Sequence, residues 1–390
     1  MDQSRLVFLS DVIEGEIGKG RLSGASAYVE ADGKERFCKH YGSDCEEQIY
    51  RIFSMTKPIT SAAALILYER GLLDLMAPVS EYLPYFSDSK VLNRYSQLDQ
   101  SYRPVTVKDL LNMTSGIVYP NTGDIAERTM KNNIELLTIR KERGEKIVAD
   151  DIGKAIAQTP LAFQPGTQWR YGASADVLGL VVASIAGCSL ENFMKKELFE
   201  PLEMNDTGFS VSPSNKKRIA PFYMFNEQGK SVPVSREKME ELQKSLFLCG
   251  VDEKPAFESG GGGLYASSKD YIHFMQMLLN GGVYQGYRIL SRKTVEFMRR
   301  NQLTPEQKRC IRFDSIIGYG YGNLMRVMED LGQATSNGSI NEFGWDGLPG
   351  CYMMIDPEEK LIFLYMQQQL EGANLSLRRR MRQIIYSACE

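Results

Sequence analysis

The order of apolar and polar positions divides the chain into three parts. Residues 24 to 53 hold short β-prone runs, ASAYVEA, ERFCKHYG and QIYRIF, separated by Asp-Gly and Gly-Ser turn signals, which predicts a meander of antiparallel strands. From Thr60 to Leu73 the stretch TSAAALILYERGLL is apolar almost all round, as expected of a helix buried inside a domain. Helical periodicity dominates from about 75 to 280, with amphipathic stretches at 106 to 113, 124 to 142, 150 to 158, 174 to 187, 189 to 199 and 268 to 279. Strand signals return from about 315 as SIIGYGYGNLMRVM, CYMMIDP and KLIFLYMQQQ, before a closing amphipathic helix, LSLRRRMRQIIYSACE. The two strand-rich ends are expected to share one sheet. The polar stretch from 226 to 259, broken by Pro and Gly, reads as an excursion over the surface that borders a pocket.

Composition narrows the picture mainly by exclusion. With 390 residues, 43% hydrophobic and 24% charged, the chain is long enough for two packed units or one elaborated domain. Lys and Arg (46) nearly balance Asp and Glu (49) with no block of like charge, so neither a nucleic-acid footprint nor a polybasic membrane anchor is indicated. The start, MDQSRLVFLSDVIEGE, is unlike a signal peptide, and the longest apolar runs fall short of the roughly 18 residues of a membrane span. Seven scattered cysteines (38, 45, 188, 249, 310, 351, 389) suggest neither a disulfide framework nor a thiolate metal site, and fit a reducing, cytoplasmic setting. Only His40 and His273 are present, which argues against a histidine metal centre and against a Ser-His-Asp triad unless one of the two serves. No cofactor is expected, partners should be small molecules, and nothing speaks to oligomeric state.

The sharpest feature is Ser54-Met55-Thr56-Lys57-Pro58. Proline lacks an N–H and is tolerated in a helix only within the first turn, so Pro58 fixes Ser54 at a helix start. There the hydroxyl lies near unpaired N–H groups and the positive end of the helix dipole, an environment that stabilises developing negative charge. Lys57, three residues on, projects from the same face. A serine hydroxyl is a weak nucleophile unless a base takes its proton, and a buried lysine can serve. In FQPGTQWRYGASADVLGL at 163 to 180, Tyr171 stands just before an apolar helix, where it could pass protons between nucleophile and leaving group. NEFGWDGLPGCYMMIDPEEKLIFLYMQQ at 341 to 368 is a turn followed by a hairpin, with Trp345, Asp346, Gly347 and Leu348 at its leading edge. The backbone N–H of Leu348, with that of Ser54, would form an oxyanion hole. The glycine runs at 260 to 263 and 318 to 322 lack the Lys-Ser/Thr of a phosphate loop and are set aside.

These segments, in this order, resemble the class C β-lactamase, family VIII esterase and D-aminopeptidase superfamily of penicillin-binding-like serine enzymes. The similarity extends to DLLNMTSGI at 109 to 117, GCSLENFMKKELFEPLEMNDTGF at 187 to 209 and SGGGGLYASSKDYIHFMQMLLNGG at 259 to 282. It implies an α+β fold, an antiparallel sheet flanked by helices with a mainly helical second domain. Residues 1–74 with 284–390 would form the sheet domain and 75–283 the helical one, with the active site between them. It also implies Ser54 as nucleophile, Lys57 as proton acceptor or electrostatic partner, Tyr171 as general base or acid and Leu348 as second oxyanion donor; which of Lys57 and Tyr171 is the base stays open.

Two departures narrow the chemistry. Trp345-Asp346-Gly347 stands where β-lactamases and peptidases of the superfamily carry Lys-Thr-Gly or His-Thr-Gly, which removes a cation suited to a substrate carboxylate. Asp346, if it faces the cleft, would repel anionic substrates. Gly172-Ala173 replaces the usual Tyr-x-Asn, so Ala173 lacks an amide to hold an acylamino side chain. The expectation is therefore a serine hydrolase acting on small carboxylic esters in the manner of the esterase branch. Its rivals are a weak β-lactamase, a D-amino acid peptidase or amidase, an acyltransferase, and a catalytically silent scaffold or sensor.

Overall fold

Both ends of the chain do contribute to one sheet. The computed structural model describes residues 1–93, 95–245, 255–370 and 374–389. Strands β1 (Gly24–Ala31) and β2 (Lys34–Gly42) come from the first part of the chain. Strands β3 (Tyr319–Gly322), β4 (Met325–Met328), β5 (Phe343–Gly344), β6 (Tyr352–Asp356) and β7 (Leu361–Met366) come from the last. The order across this seven-stranded sheet is β3-β4-β5-β6-β7-β1-β2. Neighbours run antiparallel, and β7 meets β1 in the register Ala27↔Tyr365 and Val29↔Phe363.

Five helices position the site: α1 (Gln3–Gly18), α2 (Thr56–Glu69), α3 (Ser174–Ala186), α4 (Ser268–Leu279) and α5 (Leu375–Ser387). The continuous apolar runs of β6 and β7 are explained by cover on both faces of the sheet. Alternate side chains leave a strand on opposite sides. Leu361, Phe363 and Tyr365 accordingly join a core with Leu6, Leu9 and Ile13 of α1 and Met381 and Ile385 of α5. Ile362, Leu364 and Met366 join the other core, with α2, α3 and α4. That second core continues from the sheet into the helical segment, through Leu110, Val177 and Val181. Helix α4 packs on β6 and β7, and α2 on α3.

Two local expectations are corrected, and one helix stands where none was expected. The stretch after Met1 forms α1, capped by Asp2, whose carboxylate accepts the Ser4 N–H at 2.9 Å; its short apolar run is one helix face, since Leu6, Leu9 and Ile13 recur at helical spacing. The run at 48 to 53 does not extend the meander. At Gly42 the backbone has φ 61°, and a Cβ there would lie 2.1 Å from the Ser23 carbonyl, so the chain turns out of the sheet where only glycine fits. The following strand, Ile49–Arg51, pairs instead with Tyr265–Ser267. Finally, the buried helix begins at Thr56 and ends at Glu69, one turn earlier than its apolar run suggests, because Thr56 and Lys57 are buried with it. Among the described residues no single helix is long and apolar enough to cross a membrane.

Candidate active site

The strand Ile49–Arg51 delivers Ser54 to the start of α2. The Ile52 N–H donates to the Leu264 carbonyl at 3.1 Å, and Phe53 to Met55 form a single 3-10 turn that runs into Thr56. Phe53 turns the corner with φ 44°, a left-handed conformation costing on the order of 1 kcal/mol for a non-glycine residue. Its buried ring, stacked on Phe222 at 5.7 Å, holds it there. Pro58 is the third residue of α2 and needs no N–H partner.

Lys57 is fully buried, and its Nζ is surrounded by oxygens. Nζ donates to the Gly261 carbonyl at 2.6 Å, to Ser54 Oγ at 3.2 Å and to the Tyr119 hydroxyl at 3.2 Å. It also lies 4.6 Å from the centre of the Tyr171 ring. The glycine run lets this happen, since a Cβ on Gly261 would sit 2.3 Å from Asp176 Oδ2 and one on Gly260 2.5 Å from the Ala175 carbonyl. The run is a close-approach surface for the start of α2, with Thr60 Oγ1 donating to the Gly260 carbonyl at 2.7 Å.

The Tyr171 hydroxyl donates to Ser54 Oγ at 2.7 Å and accepts the Trp345 Nε1–H at 3.3 Å. Its ring is fixed by Trp345 at 5.7 Å and by Phe313, edge-on, at 5.5 Å. Ser54 with Lys57, Tyr171 and Trp345 are thus brought together by three separate stretches of backbone.

Two further residues complete the cluster. The Tyr119 hydroxyl donates to Asp176 Oδ2 at 3.2 Å, while Asp176 Oδ1 accepts the Ser259 hydroxyl at 2.5 Å and the Gly261 N–H at 3.1 Å. Burial raises the Asp176 carboxyl above the usual carboxylate range, with Lys57 and these hydrogen bonds pulling the other way. Burial also pushes the Tyr119 phenol well up, and the neighbouring Asp176 adds to this. Sequence reasoning missed both. The available signal was Asp176 itself, a lone carboxylate in the otherwise apolar SADVLGLVV.

The remaining expected residues divide. Gly347 abuts the serine segment, where a Cβ would lie 2.6 Å from the Ile52 carbonyl, and Leu348 follows in an exposed turn. Asp346 does not face the cleft. Trp345 points toward Tyr171, so the next side chain points to the opposite side. There the Asp346 carboxylate pairs with the buried Arg326 at 2.6 Å and with Arg378. Contrary to expectation, the Asp346 carboxylate is thus turned away from the position where it would repel an anionic substrate. Ala173 does not line the site either; its methyl group is wholly buried in the core, and Ser174 beside it bonds Ser115 at 2.8 Å. An open cleft beside Tyr171 is lined by Tyr119, Phe163, Trp169, Arg312 and Phe313.

The Beta-lactamase family profile matches residues 9–386. A protein of Mycobacterium tuberculosis is 31% identical over 331 residues, covering 83% of this chain and 78% of that one. Esterase EstB of Burkholderia gladioli is 27% identical over 401 residues, covering 97% and 94%. Among solved structures, EstCE1, a hydrolase with promiscuous acyltransferase activity, shares the fold with a TM-score of 0.79 at 21% identity, over 98% of this chain and 99% of that one. The antiparallel sheet flanked by helices is thus the β-lactamase/transpeptidase-like fold, and the chain belongs to the Beta-lactamase family of serine hydrolases.

Proposed function

We propose that the chain is a carboxylesterase that works through an acyl-enzyme on Ser54 and takes small neutral carboxylic esters. The observation that carries this reading is the position of Ser54 Oγ, 3.2 Å from Lys57 Nζ and 2.7 Å from the Tyr171 hydroxyl. In the proposed reaction Oγ attacks the ester carbonyl, and the electron pair displaced onto the carbonyl oxygen is held by the Ser54 and Leu348 N–H groups. The closeness of Gly347 to Ile52 supports this pairing, because it sets the Leu348 turn beside the serine segment. The Ser54 proton moves to the Tyr171 oxygen in concert with transfer of the Tyr171 hydroxyl proton to the departing alkoxide, so the phenol ends as it began, while Lys57 and the Trp345 N–H donate toward the charge that builds on the Ser54 and Tyr171 oxygens. Water then attacks the acyl-enzyme, loses its proton to the same relay, and releases the acid with Ser54 restored.

Ester preference is supported by the 27% identity to Esterase EstB over nearly the whole chain. It is also supported by the residues beside Tyr171, where Trp345 occupies the strand position at which a carboxylate-binding cation would stand and Asp346 is engaged elsewhere. The free thiols of the six described cysteines agree with a reducing, cytoplasmic setting. Short p-nitrophenyl esters should be hydrolysed with a higher kcat/KM than any cephalosporin. The reverse order would make the chain a β-lactamase and defeat the ester reading. An acceptor alcohol in place of water would turn the same acyl-enzyme to transfer, and the open cleft beside Tyr171 leaves room for one. Ester products formed in the presence of added alcohols would reveal it.

A further inference from the structure

Ser54 and Leu348 belong to segments with no covalent link near the site, yet an oxyanion hole needs both N–H groups within about 2.7–3.1 Å of one oxygen. The side chains that tie the two segments together come from the strand extension after β7, the run Gln367-Gln368-Gln369, whose members are all buried. Gln368 brackets Arg51, three residues before Ser54: its Oε1 accepts the Arg51 N–H at 3.3 Å and its Nε2 donates to the Arg51 carbonyl at 3.1 Å. The side-chain amide thus takes the place of a strand partner on that edge. Gln367 grips the other half, donating from Nε2 to the carbonyl of Pro349, the residue after Leu348, at 2.9 Å. The backbone N–H of Gln369 donates to the same carbonyl at 3.1 Å. Gln367 is itself oriented by the Tyr365 hydroxyl, which donates to its Oε1 at 2.9 Å.

We propose that Gln367 and Gln368 are positioning residues that set the separation of the two oxyanion donors, by holding, from consecutive positions on one strand, Pro349 beside Leu348 and Arg51 on the strand that leads to Ser54. This rests on the Ser54 mechanism above and extends it. Neither glutamine touches substrate. Their removal should therefore leave ground-state binding alone and weaken stabilisation that exists only once the carbonyl oxygen carries charge.

The test uses Gln367→Met and Gln368→Met, which keep side-chain length and remove the amide. The readouts are kcat and KM for a p-nitrophenyl ester and the rate at which a fluorophosphonate modifies Ser54, followed by intact mass. The expected result is a kcat and a labelling rate both lowered about 10- to 100-fold with KM within about twofold of wild type. Gln368→Met also strips the strand leading to Ser54 of two hydrogen bonds; if it fails to fold, Gln367→Met decides alone. A wild type labelled at Ser54 with variants labelled equally fast, or with only KM raised, overturns the positioning role and leaves the esterase reading standing. A wild type not labelled at Ser54 overturns both.

Discussion

Lys57 has three directions in which it meets hydrogen-bonding groups, and two are fixed by their partners' chemistry. The Gly261 carbonyl can only accept. The Tyr119 hydroxyl has a single proton, which goes to Asp176, so toward Lys57 it also accepts. Because burial keeps the Tyr119 phenol well above its ordinary range, that proton stays in place across the pH range of ordinary assays. Only the direction toward Ser54 remains for chemistry. Tyr171, by contrast, shares its proton with Ser54 and accepts from Trp345, the arrangement a proton relay needs. Tyr171→Phe keeps the ring among Trp345, Phe313 and Trp169 and deletes the hydroxyl alone. It should lower kcat about 10²- to 10⁴-fold with an unchanged unfolding midpoint; steady-state kinetics showing unchanged turnover would remove Tyr171 from the mechanism.

At the scale of elements, the segment after β5 does two jobs by alternation. Trp345 faces Tyr171, and Asp346 on the other side links two elements, Arg326 of β4 and Arg378 of α5. Arg326 is 1% exposed and also lies over the Tyr352 ring at 4.4 Å. Removing the carboxylate leaves a buried guanidinium short of its counter-charge, so Asp346→Ala should destabilise by about 3–5 kcal/mol in urea unfolding. A loss under about 1 kcal/mol would show that the pairs made by Asp346 contribute little net stability. This element marks the limit of what was legible in the sequence. Ser54 with Lys57, Tyr171 and Trp345 could be found because each sits in a short stretch whose turn and helix signals are local. The partners of Asp346 could not, because they lie on a distant strand and helix. For the same reason Ile49–Arg51 looked like a third meander strand, since nothing local announces Tyr265–Ser267 as its partner. Helix α1 was missed because its apolar face is narrow until α5 and the sheet are there to meet it.

For the whole molecule, Asp44 sits where the large sheet meets the strand that carries the nucleophile. Tyr50 of that strand donates to Asp44 Oδ2 at 2.8 Å and shares a 2.7 Å bond with Ser26 of β1. Burial pushes the Asp44 carboxyl up to about 6, against the hydrogen bonds from Tyr50 and Ser43. A raised carboxyl binds its proton more tightly folded than unfolded, so its stabilising contribution is full below about pH 4 and is lost as pH rises through 6. Asp44→Asn keeps an acceptor for Tyr50 and should raise stability by about 2 kcal/mol at pH 7 with little change at pH 4. Melting curves with equal shifts at both pH values would contradict this. The sheet, the two small strands and α2 all converge on one atom, Ser54 Oγ, and the central claim is that this oxygen becomes acylated. Intact-mass measurement after reaction with a fluorophosphonate tests it most directly. The account predicts one adduct per chain, mapped to Ser54 and absent in Ser54→Ala; an unmodified wild type, or an adduct that survives the substitution, would contradict it.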